Sequence, residues 1–283
     1  MTSHPAFQKD RVAVITGAAN GIGLAAAKKY ARLGMKVVMA DLHEDALNAA
    51  AEEVRAIARD GHTAVLPVAT DVSDLHAVQQ LKDMALETYG EVAVLMNNAG
   101  TMGGGAAHQN LEGWRKVLNT NLWGVIHGVQ TFVPQMIEQG TPCVVINTGS
   151  KQGITTPPGD TAYNVSKAGI KVLTEGLQHS LRNTEHCQVT AHLLVPGFTF
   201  TGMIKQFIEE KPPAAWESEQ VVDYMMDALG KGDFYIICPD NDVDRATDNK
   251  RILWAAQDIT ENRTPLSRWD ETYKDAFEAY MKG

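Results

Sequence analysis

The chain has 283 residues, of which 44% are hydrophobic and 21% charged, and its net charge is −9 at neutral pH. That length can bury a sizeable core, and the composition is that of an ordinary globular protein. The acidic balance argues against a nucleic-acid or anionic-membrane surface, while the absence of an apolar run of about 18 residues argues against a membrane span.

Short β-rich runs alternate with longer stretches of helical period. Strands are predicted at 12–16, 36–40, 63–68, 92–96, 143–148, 188–195 and 234–238. Most are near-continuous apolar runs, as expected for strands covered on both faces. Helices are predicted between them, at 24–33, 44–59, 75–89 and 162–181. Strict βαβ alternation implies an α/β fold with a doubly wound, seven-stranded parallel sheet. A single catalytic domain is expected over 1–283, with its core at about 11–239 and a C-terminal extension at 240–283. The extension is charged but carries Trp254, Leu266, Trp269, Phe277 and Tyr280, and that density of aromatic groups predicts packing rather than a solvated tail. Residues 1–11 are polar and lack the apolar core of a signal peptide. Cys143, Cys187 and Cys238 are too few and too scattered for a disulfide framework. A cytoplasmic protein with free thiols is the expectation.

Gly17, Gly21 and Gly23 follow the first predicted strand directly, and a helix opens behind them. Missing side chains let backbone approach a pyrophosphate, and a helix N-terminus offers free N–H groups and a positive dipole end. Asp41 ends the next strand, 24 residues after Gly17, where an acid can hydrogen-bond the adenosine ribose hydroxyls. A carboxylate there repels a 2′-phosphate, and Leu42 rather than an arginine follows it, so NAD is expected over NADP. Far downstream, Tyr163 and Lys167 stand four residues apart, on one face of a helix. A phenol whose proton can be removed, beside a bound dinucleotide, is equipment for hydride transfer between an alcohol and NAD.

The spacing Thr16-Gly17-x-x-x-Gly21-x-Gly23 resembles that of the short-chain dehydrogenase/reductase family. More of that family's pattern is present in order over residues 11–203: Asn97-Asn98-Ala99-Gly100, Asn119-Thr120-Asn121, Ser150 thirteen residues before Tyr163, Tyr163-x-x-x-Lys167, and Pro196-Gly197. The resemblance implies a Rossmann fold and a catalytic tetrad of Asn121, Ser150, Tyr163 and Lys167. It places cofactor contacts on Gly17, Asn20, Gly21, Ile22, Gly23, Asp41 and Leu42, and on Asp71 and Val72 at the adenine. Asn98, Ala99 and Gly100 follow along the ribose, with Pro196, Gly197, Thr199 and Thr201 toward the nicotinamide amide, and Tyr163 and Lys167 also belong to this set. It further implies homo-oligomers, a dimer or a tetramer.

Tyrosine has a solution pKa of about 10. The lysine one turn away and the positive nicotinamide ring are expected to favour the phenolate. Tyr163 then takes the hydroxyl proton, Ser150 holds the substrate oxygen, Lys167 grips the nicotinamide ribose, and Asn121 holds a water leading to solvent. The pocket is expected in the loops at 101–106, 151–161 and 198–216, with Met102, Ser150, Gln152, Ile154, Tyr163, Phe198, Met203 and Phe207. None of these loops contains an arginine, so the expected substrate is a neutral, fairly apolar secondary alcohol or its ketone. The nine histidines form no metal-ligand spacing, and no metal is expected. The alternatives are an epimerase or dehydratase with tightly held NAD, whose relatives carry a different glycine spacing, and a non-catalytic dinucleotide sensor, which would lose the tyrosine or lysine.

Overall fold

The computed structural model describes residues 4–205 and 208–283. Seven strands form one parallel sheet: β1 Val12–Thr16, β2 Lys36–Asp41, β3 Val65–Ala69, β4 Val94–Asn97, β5 Cys143–Thr148, β6 Val189–Val195 and β7 Tyr235–Ile237. Their order is β3-β2-β1-β4-β5-β6-β7. The chain returns from β3 across β2 and β1 to pair β4 with β1, Ala13 opposite Val94 and Ile15 opposite Met96. Strand order reverses there, and in open α/β sheets ligands bind outside the carboxyl ends of the strands at such a point.

The helices are α1 Gly21–Arg32, α2 Glu44–Arg55, α3 Leu75–Tyr89, α4 Leu111–Leu118, α5 Gly124–Glu138, α6 Gln152–Thr155, α7 Thr161–Arg182, α8 Gly202–Lys205, α9 Ser218–Lys231, α10 Arg245–Thr260 and α11 Lys274–Lys282. Alternate residues along each strand feed opposite faces of the sheet, so there are two cores. Ile15, Met39 and Met96 pack with Tyr30 of α1, Leu47 of α2 and Met225 of α9. Val14, Leu95 and Val145 pack with Leu81 of α3, Phe132 of α5 and Ile170 of α7. Among the described residues, no helix is long and apolar enough to cross a membrane.

Element identities match the sequence reading, and the departures have local causes. Residues Gly61–Ala64 wind into a 3₁₀ turn before β3, because Gly61 at φ 54° turns the chain after α2. Helix α1 begins at Gly21, so Gly21 and Gly23 form its first turn, while Gly17 lies in the loop ahead of it. Between α4 and α5, Asn119–Trp123 forms one π-helical turn, a local widening often found at functional sites. The C-terminal segment is helical: the buried Trp254 ring meets Phe277 and Tyr280, each at a centroid distance of 5.2 Å, and α10 packs on α6.

Candidate active site

The glycine turn is shaped by close approach. Gly17 has φ 66°, and a Cβ there would lie 2.8 Å from the Ala99 Cα. A Cβ on Gly23 would fall on the Gly17 carbonyl oxygen. The loop after β4 braces this turn: the Asn98 side-chain amide donates to the carbonyls of Thr16 and Gly17, both at 3.2 Å, while the Asn98 and Ala99 N–H groups donate to Thr16 Oγ1. Asn98 therefore spends its side-chain amide on the turn. Helix α1 has no side-chain cap and no acid in its first turn, and its positive end stays uncompensated. A narrow, glycine-lined turn ending in a bare helix N-terminus fits a dinucleotide pyrophosphate.

Other residues expected at the dinucleotide surround this turn. Asp41, at the end of β2, accepts from the Ala19 N–H at 3.0 Å, which ties the carboxylate to the turn, and Leu42 beside it is exposed. Asp71 caps its own loop by accepting from the Ser73 N–H and hydroxyl. Val72 is buried, and Gly124 leaves it room, since a Cβ there would lie 2.7 Å from Val72 Cγ2. From the far side, Thr201 lies over Gly21, 3.1 Å from where a Cβ would be, and Gly202 lies over Asn20. Thr199 is buried and donates to the Gly197 carbonyl at 3.1 Å, which folds the strand-six loop back on itself.

Helix α7 carries Tyr163 and Lys167 one turn apart. The Lys167 ammonium is buried, donates to the Thr148 carbonyl at 2.8 Å, and lies 5.6 Å from the Tyr163 ring centroid. Burial pushes its pKa down to about 8. Ser150 hydrogen-bonds the Tyr163 phenol. Gly100 closes the group, since a Cβ there would sit 3.5 Å from Asn121 Oδ1 and 3.7 Å from Lys167 Nζ. The four expected catalytic side chains thus converge at the ends of β4 and β5.

Two details differ from the sequence reading. Burial pushes the Tyr163 phenol above its ordinary pKa and outweighs the Ser150 hydrogen bond that lowers it. The Asn121 side chain is fully engaged, accepting from the Thr101 N–H at 2.7 Å and donating to the Thr101 carbonyl and Ser166 Oγ. Water held at Asn121 would meet its backbone, in the π-turn, rather than its amide.

Asp160 is a functional position the sequence reading missed. Its carboxylate accepts four backbone N–H groups: Gly103 at 2.7 Å, Gly104 at 3.2 Å, Gly105 at 3.0 Å and Tyr163 at 3.1 Å. It caps α7 and welds the loop after β4 to the turn that carries Tyr163. The signal was three consecutive glycines, offering unhindered N–H groups, and an acid three residues before the tyrosine.

The expected substrate residues separate into two groups. Met102 and Phe198 lie on the loops after β4 and β6, Met203 lies in α8, and Phe207 lies outside the described residues. Gln152 and Ile154 instead line a cavity of about 230 Å³ behind α6, walled by Arg251, Ile252, Arg268 and Trp269 of the C-terminal segment. Residues of the 151–161 loop thus face a wall that carries two arginines, which the three loops themselves lack.

The profile of the short chain dehydrogenase family matches residues 11–212. The chain is 33% identical over 250 residues to 1-deoxy-11-beta-hydroxypentalenate dehydrogenase of Streptomyces exfoliatus, covering 86% of this chain and 88% of that protein. It is 32% identical over 201 residues to a 3-oxoacyl-[acyl-carrier-protein] reductase of Thermotoga maritima, covering 71% of this chain and 78% of that one. A short chain dehydrogenase/reductase from Burkholderia phymatum, solved in complex with NAD, superposes with a TM-score of 0.81 at 34% identity, covering 92% of this chain and 97% of that chain. With its seven-stranded parallel sheet, its glycine turn and a family match over most of its length, the protein belongs to the short-chain dehydrogenase/reductase family of oxidoreductases, which bind a nicotinamide dinucleotide.

Proposed function

We propose that the protein is an NAD-dependent dehydrogenase of secondary alcohols, apolar around the reacting carbon, working reversibly with the corresponding ketones. The observation that carries this reading is the Ser150–Tyr163 hydrogen bond with the buried Lys167 one helical turn further on. Bound NAD supplies the hydride acceptor. Tyr163 takes the alcohol proton as hydride leaves the same carbon, and returns it to the oxygen in the reverse direction; such help is typically worth about 10²–10⁴-fold. Ser150 orients the substrate oxygen. Lys167 holds a proton at Nζ, anchored on the Thr148 carbonyl beside the Tyr163 ring, and would bind the nicotinamide ribose.

Gly17, Gly21 and Gly23 would hold the pyrophosphate, Asp41 the adenosine ribose, and Thr199 and Thr201 the nicotinamide end. Asp41 beside the exposed Leu42 supports NAD over NADP. The NAD bound by the Burkholderia protein and the hydroxyl named for the Streptomyces enzyme point the same way. Residues 1–283 would act as one catalytic unit in the cytoplasm. Exposed Leu111, Trp123, Val165 and Val172, on α4, the π-turn and α7, support a homodimer or homotetramer joined through that face.

The test is absorbance at the NADH band with a panel of secondary alcohols. Turnover by the wild type is expected, and Tyr163→Phe should lower kcat by about 10³-fold or more while NAD affinity stays within a few-fold. Near-normal kcat in Tyr163→Phe would refute the assignment.

A further inference from the structure

The cavity behind α6 has no part in the chemistry above. One wall is Gln152, Ile154 and Pro157; the other is Arg251, Ile252, Arg268 and Trp269 of the C-terminal segment. Three cations meet there, Lys151, Arg251 and Arg268, against two carboxylates, Asp240 and Asp248. Both carboxylates are taken by Lys151, at 3.4 and 2.7 Å. Neither arginine has an ion-pair partner within 4 Å among the described residues, although Asp248 is near enough to act on both electrostatically. Arg251 Nε is buried and has no hydrogen-bond partner among the described residues. The Arg268 guanidinium lies over the rings of Trp269 and Phe277, at 4.8 and 5.4 Å, which attract a cation but are not hydrogen-bonding anions. In a chain of net charge −9, this is a buried-edge site with one positive charge in excess.

We propose that the C-terminal segment builds here a binding site for a small organic carboxylate with an apolar body. Two unpaired guanidiniums in one cavity offer the planar, two-pronged donors that a carboxylate accepts best. Ile154, Pro157, Ile237, Ile252 and Trp269 supply the apolar surround. At about 230 Å³ the space is smaller than the roughly 300–1,000 Å³ of sites for drug-sized ligands, so it takes a ring or a short chain, not a nucleotide. A single excess charge matches a monoanion. Burial and the neighbouring Arg251 push the Arg268 pKa down to about 10, and the nearby Asp248 carboxylate offsets this only in part.

The carboxylate could come from two sources: the acid end of a hydroxy-acid substrate, or a separate effector. Either would be felt at the catalytic group, because Gln152 lines the cavity and its N–H donates to Ser150 Oγ at 3.2 Å. The site does not depend on the hydride-transfer reading, since binding is measured without turnover.

The experiment is calorimetric titration of the full-length protein with cyclohexanecarboxylate and hexanoate, each paired with its neutral amide. The carboxylates are expected to bind at least tenfold more tightly than the amides. Arg251→Gln with Arg268→Gln should erase that difference, and Arg251→Lys, which keeps the charge but loses the fork, should fall between. Melting of each unliganded variant checks that it folds, and the carboxylate–amide comparison needs only the wild type. Equal binding of acid and amide by the wild type, or an undiminished preference in the double variant, overturns the proposal. Kinetics then separate the sources. A carboxylate that raises only the KM for an alcohol competes with the acid end of a substrate, and one that changes kcat is an effector; both outcomes support the site.

Discussion

Gly17, Gly21 and Gly23 serve the β1–α1 turn by the side chains they lack, whereas Lys151, Asp240, Asp248, Arg251 and Arg268 define the C-terminal wall by the charges they carry. At the turn, backbone meets backbone: the Gly17 carbonyl occupies the place a Gly23 Cβ would take, and Asn98 and Thr16 fasten the loops with hydrogen bonds. There is almost no tolerance for added atoms, since interiors packed this closely respond to extra volume with strain. At the wall, space remains and charge is incompletely matched. The turn fits a ligand shared by a whole family of enzymes, while the wall is built by a segment outside the sheet.

The largest expected effect comes from breaking the turn. Gly23→Ala should weaken dinucleotide affinity by about 10- to 100-fold, because overpacking of this kind typically costs about 1–3 kcal/mol at a site with no room to relax. Titration with NAD measures it, and the same variant should bind carboxylates at the far wall as well as the wild type does. Unaltered NAD affinity would mean the glycines are not a phosphate cradle.

Comparable in size is cofactor choice. The Asp41 carboxylate, held against the turn by Ala19, should make NAD preferred over NADP by roughly 100-fold in kcat/KM, as expected for like charges brought together. Asp41→Ser with Leu42→Arg should reduce or reverse that ratio. A wild type that used both cofactors equally would show that Asp41 serves only to hold the loop.

Removing the wall is expected to be milder. A chain ending at Asp240 loses the ring cluster around Trp254 and uncovers α6. Its Tm should fall by at least about 5 °C, since about 1 kcal/mol moves a protein of this size by roughly 2–4 °C. NAD affinity should stay within a few-fold. A larger loss of NAD affinity than of stability would mean that the segment acts on the turn through the strand-six loop, which Asp240 holds at the Phe198 N–H.

The smallest effect sharpens the boundary between them. Alcohol oxidation needs Tyr163 deprotonated, so its rate should rise with pH through the alkaline range, and ketone reduction should fall. The Ser150 hydrogen bond lowers a phenol pKa that burial has raised. Ser150→Ala therefore removes the opposing influence and should move the midpoint of the oxidation profile to higher pH, whatever happens to its height. A midpoint moved to lower pH would contradict the assigned bond.

The sequence by itself determined the parallel sheet, the glycine turn, the acid at the end of β2 and the Tyr163–Lys167 pair. Each of these is local: a strand shows as an apolar run, a helix face as a spacing of four, and a phosphate turn as glycines between the two. Only the tertiary structure decided which distant groups meet. Asp160 gathers N–H groups 55 to 57 residues upstream, and Lys151 finds Asp240 89 residues downstream. Asn121 turns its amide to Thr101, and Asn98 turns its own to the glycine turn. The extension, whose aromatic residues predict packing, brings Arg251 on α10 and Arg268 on the short 3₁₀ turn Ser267–Trp269 to the back of α6. Burial likewise sets the direction in which Tyr163 and Lys167 titrate, since desolvation depends on what packs around a group and not on its neighbours along the chain.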